Sequence, residues 1–142
     1  MNTNGSSMHT LTILIWSAGA IQVAILAGNF ILPAKLECRS NLSRVSAMIR
    51  HVFIVHWVYI IAVLGIFSAL CFFFAPDLAG ASHLGRFLSA TLALFWLPRL
   101  PIQLFLYDAE LRRKHRLGDV MMLLALSFLV AVFGYAALRG AR

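Results

Sequence analysis

Four long runs of apolar residues account for most of this chain. They cover approximately residues 11–33, 52–76, 87–107 and 120–138. A helix needs about 17–25 predominantly apolar residues to cross the hydrocarbon core of a bilayer, and each run has that length. Strands of a membrane β-barrel would alternate apolar and polar residues, and these runs do not. The runs predict an all-α fold, an integral membrane bundle of four transmembrane helices with antiparallel neighbours and short loops.

The composition agrees with lipid as the main solvent of the folded chain. Hydrophobic residues make up 61% of the sequence and charged residues 12%, whereas soluble domains have about 45–50% and about 25%. The chain has 142 residues, a length that suits one domain. We therefore expect residues 1–142 to form a single membrane domain, without a soluble catalytic domain beside it.

The net charge is +7, and eight of the 12 Lys and Arg residues lie in two loops, 34–51 and 108–119. These loops hold Lys35, Arg39, Arg44, Arg50, Arg112, Arg113, Lys114 and Arg116, and the other side of the membrane would hold Arg86, Arg139 and Arg142. The positive-inside rule predicts cytoplasmic basic loops and both termini outside. We expect an integral protein of a bacterial inner (cytoplasmic) membrane. Anionic lipid headgroups account for the charge, so nucleic acid is not expected as a partner.

Small residues at four-residue spacing indicate where helices would pack. Apolar surface gives helices no drive to associate inside lipid, so close packing of small side chains has to supply it. Span one carries Ala20, Ala24 and Gly28, and span two carries Gly65 and Ala69. These five residues are the predicted helix-packing positions.

Arg99 is the most informative single residue, because it is a charge inside span three. Such a charge costs at least ~2.5–3.5 kcal/mol on insertion scales. It lies between Pro98 and Pro101, with Gln103 one turn further on the same face and Trp96 on that face too. Arg99 therefore predicts either a structural role near the two prolines or a functional site.

Polar residues of other spans lie at a similar predicted depth, in the inner half of the membrane. The hypothetical ligand-binding set is Arg99, His56, Gln103, Asn29, Gln22 and Trp96. Guanidinium would bind an anion there, such as a lipid phosphate, a polyprenyl phosphate or a haem propionate, and His56 could carry protons or donate to a quinone.

A structural role for the same residues is the alternative. Arg99 or Gln103 could bind carbonyl oxygens left without donors by the prolines. Arg99 could also extend toward lipid phosphates, and the remaining polar groups could hold helices together.

Other chemistry is not supported by the sequence. Cys38 and Cys71 would be about 30 Å apart across the hydrocarbon, too far for a disulfide. His56 is the only histidine inside a span, and it lies about 140° around the helix from His51, so a bis-histidine haem is not expected. No span as bounded above contains Asp or Glu, which argues against ion coupling. We find no catalytic or metal-binding motif and expect neither metal nor cofactor.

Two functional hypotheses follow. The first is an accessory, structural or assembly subunit that packs against other membrane proteins or against a second copy of itself. The alternative is a membrane-embedded binder or enzyme acting on an anionic lipid, isoprenoid or quinone, through an inner-leaflet polar pocket around Arg99 and His56. The sequence leaves enzymatic activity open and does not favour it.

Overall fold

A computed structural model describes residues 3–35, 45–106 and 116–139. Its elements are α1 (Thr3–Lys35), α2 (Ala47–Phe73), α3 (Ala75–Ala79), α4 (His83–Trp96), α5 (Arg99–Pro101), a π-helical segment (Ile102–Leu106) and α6 (Arg116–Arg139). Four stretches are long and apolar enough to cross a membrane: Gly5–Ile31, Ala47–Phe73, His83–Phe105 and Arg116–Arg139. The predicted all-α bundle of four membrane helices is confirmed.

The first two helices extend beyond the predicted spans. Helix α1 continues through Pro33 to Lys35, although we expected it to end at Pro33. A proline removes hydrogen bonds only to the turn before it, so a last helical turn can still follow. Helix α2 begins at Ala47, where the Ser46 hydroxyl accepts a hydrogen bond from the Ile49 amide at 3.5 Å. Part of the first basic loop therefore belongs to α2, and residues 36–44 lie outside the described part of the chain.

The connection between spans two and three contains a buried short helix instead of a simple turn. Pro76 lies in the first turn of α3, whereas we expected it to close span two. The Ser89 hydroxyl of α4 donates to the Leu78 carbonyl at 3.2 Å. A Cβ atom at Gly85 would lie 2.1 Å from the Asp77 carbonyl oxygen, so only glycine fits there. Helix α3 thus packs directly against the start of α4.

Two prolines interrupt span three. Regular helix α4 ends at Trp96, and the chain continues through α5 into the π-helical segment. Pro98 and Pro101 have no amide hydrogen, so the carbonyls one turn before them lose their helical donors. The change in winding that follows determines which way Gln103 points, because a π-turn adds a residue to the helical repeat.

The bundle consists of two helical hairpins. Helix α1 packs mainly on α2, and α4 packs mainly on α6. Helix α1 joins the hairpins through further contacts with α3 and α6. Each hairpin pairs antiparallel helices, as predicted.

Burial is concentrated at one end of the bundle, which we call the core half. It contains the start of α1, the end of α2, α3, most of α4 and the end of α6. Its buried residues include Leu11, Ile15, Leu78, Leu92 and Phe133. At the opposite end, the open half, Gln103 is the only buried side chain among residues 23–31, 47–63, 97–105 and 116–125. Close packing of the two hairpins is thus confined to the core half.

Candidate functional site

Gln22 is fully buried between α1 and α2. Its Nε2 atom donates to the Cys71 sulfur at 3.3 Å, and its Oε1 atom has no hydrogen-bond partner in the described structure. A buried acceptor without a donor costs about 1–3 kcal/mol. This oxygen is therefore a point where a water molecule or a polar ligand would be stabilising.

Trp96 provides a second buried polar atom without a partner, its indole Nε1. Its ring contacts Phe95 edge to face at 5.3 Å, and Phe95 contacts Phe67 of α2 at 4.9 Å. Phe67 and Cys71 are about one turn apart on α2. Because Gln22 contacts Cys71, the unpaired acceptor and the unpaired donor occupy neighbouring levels of the core half. The two atoms belong to different helices, α1 and α4, and each is a separate buried polar atom without a hydrogen bond in the described structure.

Asn29 and His56 belong to the α1–α2 hairpin in the open half. The Trp57 indole donates to the Asn29 carbonyl at 3.1 Å, and the Trp57 ring lies 5.9 Å from Phe30. The Asn29 side chain donates to the Ile25 carbonyl at 2.9 Å. His56 is exposed, with Nδ1 2.9 Å from the Val52 carbonyl oxygen. Both polar side chains thus bond within their own helix, and Trp57 links the two helices.

Arg99 and Gln103 belong to the α4–α6 hairpin. Gln103 is 6% exposed, and its Nε2 atom donates to an Asp119 carboxylate oxygen at 2.6 Å. Arg99 is half-buried one turn before Gln103. Helix α6 begins at Arg116, so Asp119 lies inside the fourth span. Asp119 thus lies in the first turn of α6, whereas we expected residues 108–119 to form a loop before span four.

The structure divides the predicted ligand-binding set into three groups. Gln22 and Trp96 are buried on α1 and α4, Asn29 and His56 belong to the α1–α2 hairpin in the open half, and Arg99 and Gln103 belong to the α4–α6 hairpin. His56 and Arg99 lie on different hairpins, and the His56 ring is exposed. Sequence reasoning missed three partners, Cys71, Trp57 and Asp119. Trp57 and Asp119 stand near the starts of apolar runs, a position that could have suggested them.

The predicted packing residues are not those that bring α1 and α2 together. Ala20 and Ala24 are exposed, and a Cβ atom at Gly28 or Gly65 would meet open space; Ala69 is half-buried. The close approach falls at Gly19, where a Cβ atom would lie 2.8 Å from the Cys71 Cβ. The predicted row on α1 is displaced from this contact because adjacent helical positions differ by 100° in direction.

The exposed face of α1 carries a row of small residues that we call the α1 seam. It consists of Ser17, Ala20, Ala24 and Ala27, all exposed. Their spacing of three, four and three residues is that of contact positions in packed helix pairs. Small side chains at such positions let a second backbone approach closely in a membrane.

Metal-binding groups are not formed by the described residues. Within 3–35, 45–106 and 116–139, no three His, Cys, Asp or Glu side chains come together in a way that could hold a metal ion.

Comparison of the chain with protein-family models, curated proteins and solved structures finds no match. A function for this protein is therefore inferred from its own residues.

Proposed function

We propose that this protein is an accessory or assembly subunit of a membrane complex, and that the α1 seam packs against a partner helix. The position of the seam carries the proposal: Ser17, Ala20, Ala24 and Ala27 face outward over three turns of a membrane helix. The partner is another membrane protein or a second copy of this chain.

The physical reason is that small residues give a lipid-facing helix no advantage in lipid itself. Large apolar side chains contact lipid tails as well as they contact protein, so they do not drive association. A row of small side chains creates a shallow channel in which a second helix gains backbone and van der Waals contacts. Ile13 and Ile31, both exposed, stand beyond the two ends of this row.

Helix α2 supports the same proposal through its exposure. Every residue in 51–60 is exposed except Trp57, and only 11% of the most apolar window of this span is buried. Helix α2 is held mainly by α1, so it has room for other neighbours on its remaining faces.

Alanine-to-leucine substitution tests the seam. The double variant Ala20→Leu with Ala24→Leu should lose a co-purified partner or second copy by about tenfold or more in mild detergent, because overpacking an interface costs about 1–3 kcal/mol per site. Native mass spectrometry measures the assembly. The matched controls are Ala90→Leu on α4 and Ala131→Leu on α6, both exposed, which should assemble as the unmodified protein does. Equal loss in the controls, or an unmodified protein that is a monomer and turns over a substrate, would refute the proposal.

The second candidate is binding of an anionic lipid, isoprenoid or quinone in the open half. The observation that favours it is the half-buried guanidinium of Arg99 inside a membrane span, since this group recognises phosphate and carboxylate through paired hydrogen bonds.

Arg99→Leu tests the second candidate. We expect bound anionic lipid to be lost in native mass spectra while thermal stability in detergent persists, with Arg116→Leu at the exposed start of α6 as the control. If stability falls while lipid remains, Arg99 is structural. If neither changes, Arg99 only extends toward the headgroups and the candidate fails.

A further inference from the structure

An open notch of about 350 Å³ lies between α1 and α6, at the end of the bundle where α1 begins and α6 ends. Its lining residues are Ser6, Ser7, Thr10, Leu11, Leu14 and Tyr135. Leu11 is buried and Leu14 half-buried, so they form an apolar floor. The other four residues carry hydroxyl groups and form a polar rim. The notch thus combines the two surface types that a lipid presents at the edge of a bilayer.

A guanidinium group stands at the rim. Arg139 follows Tyr135 by one turn, and its two terminal nitrogens donate to Ser7, one to the carbonyl oxygen at 3.0 Å and one to the hydroxyl. A guanidinium has five N–H groups in a rigid fork, so these two bonds leave donors for an anion. Arg86 lies on the other side of α6, where its Nε donates to the Ala137 carbonyl at 3.3 Å, so Arg139 is the cation next to the notch. None of the six lining residues is acidic.

We infer that this notch binds the phosphate headgroup of an anionic membrane lipid. Arg139 binds the phosphate, the Tyr135 hydroxyl adds a hydrogen bond, and an acyl chain lies on Leu11 and Leu14. The Thr10 hydroxyl donates to the Ser6 carbonyl at 3.0 Å and borders the notch without binding the phosphate. The apolar floor favours a lipid over free phosphate, because Leu11 and Leu14 belong to a membrane span, where acyl chains surround the protein. This site uses neither the α1 seam nor Arg99, so it stands or falls independently of the proposed function.

Native mass spectrometry with phosphatidylglycerol and phosphatidylcholine tests the site. The unmodified protein should retain phosphatidylglycerol preferentially. Arg139→Gln removes the cation, and Thr10→Trp fills the notch while Arg139 stays in place. Arg139→Gln should lower phosphatidylglycerol retention by about tenfold, the loss expected for a charge-assisted hydrogen bond. Thr10→Trp should lower it by a similar factor, because the indole occupies the space of the lipid. Matched controls are Arg116→Gln on the same helix and Thr91→Trp, both at exposed positions, and these should retain the lipid.

Several results would contradict the inference. Unchanged retention in Thr10→Trp, or an equal loss in Thr91→Trp or Arg116→Gln, overturns the inference. Glycerol phosphate, which has the headgroup chemistry without acyl chains, should compete weakly. If it displaces phosphatidylglycerol as well as added phosphatidylglycerol does, the notch binds phosphate without using its floor and the lipid assignment is wrong. Thermal unfolding of each variant separates lipid loss from unfolding, because Thr10→Trp leaves the Arg139–Ser7 bonds intact.

Discussion

Two buried glutamines show how differently one side chain can be placed in this bundle. Gln103 bonds a carboxylate at 2.6 Å, whereas Gln22 bonds only a thiol sulfur and leaves its oxygen unpaired. A charged partner makes the first bond strong, and sulfur is a weak acceptor. The same residue type therefore stabilises one hairpin and is a net cost in the other.

Replacement by methionine, which has nearly the same shape, separates these two roles. Gln22→Met should leave the melting temperature in detergent unchanged or raise it, because it removes an unpaired buried oxygen worth about 1–3 kcal/mol. Gln103→Met should lower it, because Asp119 loses a charge-assisted hydrogen bond of about 1.5–3 kcal/mol. A clear drop for Gln22→Met would mean that a polar group bonds its oxygen in the folded protein.

The sequence identifies these residues but not their partners. Gln22, Arg99 and Gln103 stand out because they interrupt apolar runs. Their pairing depends on how far each helix extends and how it is rotated, and the bonds join positions 49 and 16 residues apart. His56 and Arg99 have similar predicted depths in the membrane, which suggested that they are neighbours. In the structure the two residues lie on different hairpins.

The approximate bounds of the membrane helices can be predicted from the sequence, whereas the faces on which the helices meet cannot. The four spans are predictable from hydropathy because bilayer thickness sets their length. Their meeting faces are not, since small residues are common in membrane helices and several faces carry them. The contact between α1 and α2 lies at Gly19, whereas the longer row from Ala20 to Gly28 is turned away from it.

A glycine-to-alanine series tests this assignment. Gly19→Ala should destabilise the protein by about 1–3 kcal/mol, because the added methyl meets the Cβ atom of Cys71 and overpacks the contact. Gly28→Ala and Gly65→Ala meet nothing within 4 Å and should stabilise by about 0.5–1 kcal/mol through lower backbone entropy. Thermal unfolding in detergent orders the three variants. A Gly28 variant less stable than the Gly19 variant would contradict the observed packing.

The two ends of the bundle differ in how many of their described side chains are buried. The core half holds nearly all of the buried side chains and both ends of the described chain, and the open half adjoins the two basic loops. Which end faces the cytoplasm stays a prediction from charge, and that prediction places the basic loops inside.

Cysteine labelling of intact cells tests that orientation. Cys71 is buried and should not react, so Cys38 of the first basic loop is the natural reporter. A membrane-impermeant maleimide should label Cys38 only after permeabilisation. Ala81→Cys in a Cys38→Ser background should be labelled in intact cells, since Ala81 is exposed at the opposite end. The Cys38→Ser protein alone is the blank. Labelling of Cys38 from outside would reverse the predicted topology.

The hydrogen bonds between Arg139 and Ser7 join residues 132 positions apart. Because α1 is synthesised before α6, Ser7 has no Arg139 guanidinium to bind until α6 has emerged. The hairpin of α1 and α2 can form as soon as α2 emerges, and α4 waits only for α6. The contact between α1 and α6 therefore joins two hairpins that can each form before it, so the hairpins can insert one after the other and dock in a later step.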